Sequence, residues 1–144
     1  MLSTVEKVIL LKKVPIFENL GGEELLSISD ITQEKDYKKG ENIFYEGTLG
    51  YELYILIQGS IEISKKMSNN TKKVIATFYP YDYFGEMSLF EDSTHSATAI
   101  ALENVKCLVI PREGFIDICY EYPAITLEII KTFSRRLRET TQKL

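Results

Sequence analysis

Between Ile31 and Ile110 the chain is built from short runs rich in Ile, Val, Tyr, Phe and Thr. Gly40, Gly47, Gly50, Gly59, Asn69-Asn70 and Pro80 interrupt them every few residues. No stretch of helical periodicity occurs before Phe84, so crossover helices, and with them a parallel α/β sheet, are excluded there. The texture predicts strands near 31–37, 42–45, 52–58, 60–66, 72–78, 95–101 and 105–110, with a weaker one near 82–84. Eight short strands fit an antiparallel β jelly roll or sandwich.

Helical patterns flank this region. Ser3 followed by Glu6 matches a capping box, and Val5, Val8 and Ile9 continue at helical spacing until Pro15. Glu23 and Glu24 favour the start of a second helix carrying Leu25, Leu26 and Ile28. Pro111 suits the first position of a third helix, with Phe115, Ile118 and Cys119 following, until Tyr122-Pro123 breaks it. A longer helix over roughly 123–143 then places Ile125, Ile129, Ile130, Phe133 and Leu137 on one face, with Lys131, Arg135, Arg136, Arg138 and Lys143 towards its negative end. The expected organisation is one domain over 1–144: a helical entry (1–30), a β jelly roll (31–110) and two C-terminal helices (111–144).

The residue inventory narrows function. Two cysteines, Cys107 and Cys119, and one histidine, His95, cannot build a disulfide framework or a Cys/His metal cage. Two buried thiols in a reducing cytoplasm are expected. The apolar runs fall far short of the roughly 18 residues of a membrane span, and the start has no secretory pattern. A net charge of −4 gives no general attraction to nucleic acid, and none is expected as a partner. No catalytic set is recognisable, and the chain reads as a non-enzyme that needs no metal or cofactor.

Chemistry concentrates in Phe84-Gly85-Glu86-Met87-Ser88-Leu89 and in His95-Ser96-Ala97-Thr98. Gly85 allows close backbone approach, and a helical turn opening there would aim N–H groups at an anion. Glu86 in such a turn is either a structural carboxylate favoured by the dipole or an acceptor for sugar hydroxyls.

These two segments, separated by five residues, resemble the phosphate-binding cassette of cyclic-nucleotide-binding domains. Val14-Pro15-Ile16-Phe17, Gly40-Glu41-Asn42-Ile43-Phe44-Tyr45-Glu46-Gly47 and Gly50-Tyr51-Glu52-Leu53-Tyr54-Ile55 resemble further landmarks of that family in the same order. The resemblance implies a jelly roll with N- and C-terminal helices acting as a regulatory sensor of cyclic AMP or cyclic GMP. It makes Glu86 the ligand of the ribose 2′-hydroxyl, takes backbone contacts from Gly85, Met87 and Ser88, and sets Ser96 and Ala97 beside phosphate and base. The family's arginine position is occupied by His95. Arginine offers a permanently charged fork, whereas histidine offers one donor and is mostly neutral at pH 7. The exchange is expected to weaken binding by roughly 10- to 1,000-fold. An alternative is a degenerate copy of the fold serving as a protein-interaction or oligomerisation module. The expected partners are a small cyclic nucleotide, a second copy of the chain through the last helix, which by the resemblance is either a dimer seam or a lid over the pocket, and an effector protein the sequence does not identify.

Overall fold

The capping box foreseen at Ser3 is formed: the Glu6 N–H donates to Ser3 Oγ and the Ser3 N–H donates to Glu6 Oε1, both at 3.1 Å. It opens helix α1, Thr4–Lys12, in a computed structural model that describes residues 1–142. Pro15–Phe17 form a 3-10 turn, and α2 follows over Gly22–Ile31 with both acidic residues in its first turn. Helices α3, Arg112–Glu121, and α4, Pro123–Gln142, complete the helical elements.

Backbone contacts divide the chain into two compact units, Thr32–Arg112 and a helical unit of Met1–Ile31 with the segment from Glu113 onward. In the helical unit, Leu11, Val14, Phe17, Leu25, Ile28, Phe115, Ile125 and Ile129 are buried, and the Phe17 and Phe115 rings lie 6.0 Å apart.

The second unit is the β jelly roll. Its strands are β1 (Gln33–Tyr37), β2 (Asn42–Phe44), β3 (Glu52–Gln58), β4 (Ile61–Lys66), β5 (Lys72–Phe78), β6 (Tyr83–Phe84), β7 (Thr98–Ala101) and β8 (Val105–Pro111). They form two four-stranded sheets in the orders β1-β8-β3-β6 and β2-β7-β4-β5, with every pairing antiparallel. The core between them takes Tyr54, Leu56, Phe84, Cys107 and Val109 from one sheet and Ile61, Ala99 and Ala101 from the other. Strands β3 and β8 are central and buried on both faces, since Leu53, Ile55, Leu108 and Ile110 are also fully buried. Their runs are therefore continuously apolar rather than alternating.

Five expectations need correction. Ile31 ends α2 instead of opening β1. Residues 95–97 precede β7 rather than forming part of it, because their backbone bonds to a loop: His95 N–H donates to Thr48 O at 2.7 Å. Pro111 is the last residue of β8, paired with Glu52, and Arg112 starts the helix; where a ladder ends, a missing N–H costs nothing. The apolar face of α4 is split: Ile125 and Ile129 are buried, whereas Leu127, Ile130 and Leu137 are exposed. Cys107 is fully buried and Cys119 is only half-buried, both as free thiols. Among the described residues, no helix is long and apolar enough to cross a membrane, and no cluster of three or more His, Cys, Asp or Glu could hold a metal ion.

Candidate functional site

Strand β6 ends at Phe84 and the chain turns sharply at Gly85, which sits at φ +85°, a left-handed conformation that side chains disfavour. A Cβ at Gly85 would lie 2.6 Å from the Glu52 carbonyl oxygen, so the residue also lets two backbones touch. The turn it opens, Glu86–Leu89, is a 3-10 helix in which the Ser88 N–H donates to Gly85 O at 3.0 Å. Ser88 and Leu89 are buried beneath it, while Met87 is exposed.

The return segment is held by the loop before β3. His95 and Thr48, Gly47 and His95, and Gly50 and Ser93 are joined by backbone hydrogen bonds of 2.7, 2.9 and 3.1 Å. Gly50 is pressed into this junction: a Cβ there would stand 2.5 Å from Ser88 Oγ and 3.0 Å from His95 Cε1. The His95 imidazole lies flat on the Phe44 ring, with centroids 3.7 Å apart and planes 8° from parallel. Partial burial lowers its pKa below the ordinary histidine value, and the negative charge of Glu52 offsets part of that shift. Glu52 is itself occupied, accepting from Lys35 Nζ at 2.9 Å and from the Tyr54 hydroxyl at 3.0 Å.

These elements enclose a cleft of about 250 Å³. One wall is aromatic and aliphatic, from Phe44, Phe78, Phe84 and Ile63; the other is the cassette. Six of the seven residues singled out in the sequence, Gly85, Met87, Ser88, His95, Ser96 and Ala97, line it together. Glu86 belongs to the same turn but is not part of the cleft lining, and its Oε2 is shut off from solvent. Chemically, the cleft can stack a flat ring on its aromatic wall and offer backbone and hydroxyl donors at the cassette end. Cys107 is not a reactive group: burial pushes its thiol up to about 12.

Sequence reasoning missed two parts of this site. Phe44 and Phe84 stand in the quoted motifs and Phe78 in a strand, but none is given a ligand-facing role by the sequence; three phenylalanines within or at the ends of short strands are the available signal. Arg112 was passed over behind Pro111. Its side chain is only 14% exposed, and its guanidinium bonds to the cassette backbone.

The family model described as "Cyclic nucleotide-binding domain" matches residues 34–122. The cyclic AMP receptor protein of Thermus thermophilus is 31% identical over 134 residues, covering 93% of this chain and 62% of the relative. Among solved structures, the N-terminal domain of a transcriptional regulator from Streptomyces coelicolor superposes with a TM-score of 0.86 at 25% identity, covering 93% of this chain and 94% of that one. The cAMP-bound PfPKA-R gives a TM-score of 0.74 at 34% identity over 80% of this chain and 41% of that one. The chain thus spans about three fifths of the receptor protein it matches.

Proposed function

We propose, from the premise that this chain belongs to the cyclic nucleotide-binding domain family, that its cleft takes cyclic AMP or cyclic GMP in the orientation the cassette dictates. The chain is a cyclic nucleotide-binding regulatory domain. The observation that carries the assignment of the site is the convergence of six candidate residues on one cleft opposite an aromatic wall. In this reading Glu86, which does not line the cleft, turns into it to accept from the ribose hydroxyl. Backbone N–H groups of Gly85 and Met87 face the cyclic phosphate, the Ser88 N–H being given to Gly85 O within the turn; His95 stands where the phosphate needs a cation, and Ser96 and Ala97 flank phosphate and base. Among the described residues no lysine or arginine lines the cleft, so binding at neutral pH is weak. Isothermal titration with cyclic AMP and with cyclic GMP at pH 7.5 tests this. Saturable heat with one or both supports it, and no heat at millimolar nucleotide overturns it. A cytoplasmic setting accords with two free thiols, and a function without catalysis accords with the family.

The chain also forms a homodimer through the outer edge of α4 in this proposal. Leu127, Ile130 and Leu137 are 53, 56 and 69% exposed and recur at spacings of three and seven, a stripe that water disfavours. Ile130→Glu with Leu137→Glu should convert a dimer to a monomer in light scattering with little change in melting temperature. A parent that is monomeric at every concentration removes the idea. Ile129 is unsuited to this test because it is 2% exposed, so a charge there would unfold the helical unit.

A further inference from the structure

We propose that Arg112 is the positioning residue that holds the cassette in its ligand-receiving shape, an inference that rests on the cleft being the nucleotide site. No substituent of the nucleotide need touch it. Its Nε donates to the Ser88 carbonyl at 2.5 Å, and its Nη2 donates to the carbonyls of Gly50 at 2.7 Å and Glu91 at 2.9 Å. Its Nη1 pairs with Asp92. The guanidinium carbon stands 5.1 Å from the centre of the Tyr51 ring, and the Arg112 N–H donates to Tyr51 O at 2.8 Å.

Two features separate this arrangement from an ordinary surface ion pair. The arginine side chain is 14% exposed whereas Asp92 is 83% exposed, so the carboxylate's attraction is screened and the three carbonyl dipoles carry most of the charge's stabilisation. The carbonyls also come from three places that must keep register for the site to exist. Ser88 lies in the cassette turn, Glu91 lies just after it, and Gly50 is in the loop packed so near them that a Cβ there would stand 2.5 Å from Ser88 Oγ and 3.0 Å from His95 Cε1. One planar, rigid fork therefore fixes the turn at both ends and fixes Gly50 against it. A lysine ammonium, a point charge on a flexible stem, reaches fewer of these oxygens at once.

The test compares Arg112→Met, Arg112→Lys and Asp92→Asn with the parent by two readouts, taken well below the melting temperature of every variant. Hydrogen exchange of the amides over 86–92 is measured without ligand, and cyclic-nucleotide affinity by calorimetry. Arg112→Met is expected to speed exchange in that segment at least tenfold, leave β4 and β5 unchanged, and weaken binding at least tenfold. Arg112→Lys should recover part of both losses, and Asp92→Asn should stay within about threefold of the parent. Unchanged exchange over 86–92 in Arg112→Met overturns the proposal even if its melting temperature drops, because that is the mark of a general brace. If Arg112→Met does not fold, Arg112→Lys carries the same comparison. If the parent binds no nucleotide, the functional reading fails, and the exchange measurement still decides the role of Arg112.

Discussion

His95→Arg is expected to tighten cyclic-nucleotide binding at least about tenfold at neutral pH, since about 1.4 kcal/mol suffices for that factor and one charge-assisted hydrogen bond contributes about 1.5–3. An arginine there would extend past the Phe44 face that now carries the imidazole, a surface that also favours a guanidinium. The parent should depend on pH and the variant should not. In the free protein, burial lowers the His95 pKa, so the ring is neutral at pH 7. A bound phosphate favours the charged ring and raises that pKa, so proton and nucleotide strengthen each other's binding. Affinity of the parent must then rise as pH falls from about 7.5 through the reference value of about 6.5. It should go on rising below that value, until the lowered pKa of the free protein is passed. Without ligand the sign reverses: the depressed pKa means that stability from the neutral ring is present above the unfolded pKa and is lost as pH falls through the folded one. Glu86→Ala in the His95→Arg background should remove most of the gain, because ribose and phosphate anchor opposite ends of one small ligand. Calorimetry at three pH values measures all of this. Should His95→Arg bind neither cyclic AMP nor cyclic GMP better than the parent, the degenerate interaction-module reading takes the place of the sensor.

Gly85→Ala should abolish binding and lower the melting temperature by at least about 5 °C. Two costs add. A side chain held at a left-handed φ costs roughly 1–2 kcal/mol, and the new Cβ would stand 2.6 Å from the Glu52 carbonyl, an overlap that forces β3 and β6 apart at about 1–3 kcal/mol. Gly22→Ala is the control: it opens α2, nothing lies within 4 Å of its would-be Cβ, and alanine is the better helix former. Differential scanning calorimetry of both variants separates them. A Gly85→Ala protein that melts with the parent and binds as the parent does would mean that the turn is not what shapes the cleft.

Those two positions also mark how far the sequence could be read. The Ser3–Glu6 box, the β4–β5 hairpin around Asn69-Asn70 and the glycine turn after Phe84 are local features, encoded within a few residues and visible there. The limits at 95–97 were not, because His95 is fixed by backbone hydrogen bonds to Gly47 and Thr48, nearly fifty residues earlier in the chain. Pro111 satisfied a helix-start rule equally well as a strand end, and only its pairing with Glu52 decides between them. The aromatic wall required knowing that Phe44 of β2 and Phe78 of β5, from opposite edges of one sheet, both reach Phe84 of the other. Arg112 lay furthest out of reach: the oxygens it gathers are 20 to 62 positions away, and no spacing rule connects them.

The flat contact of His95 with Phe44 has a spectroscopic consequence. Circulating electrons in a benzene ring shield nuclei held above its face, so the imidazole carbon-bound protons resonate upfield of their usual positions. The chain has one histidine, so no second imidazole contributes lines of the same kind. Departure of the ring from Phe44 would move them downfield, and protonation would shift them along a separate, titrating course. The unlabelled protein therefore carries its own reporter at the His95 side of the cleft, its lines shifting with the ring's position at any pH and with its charge only across a titration.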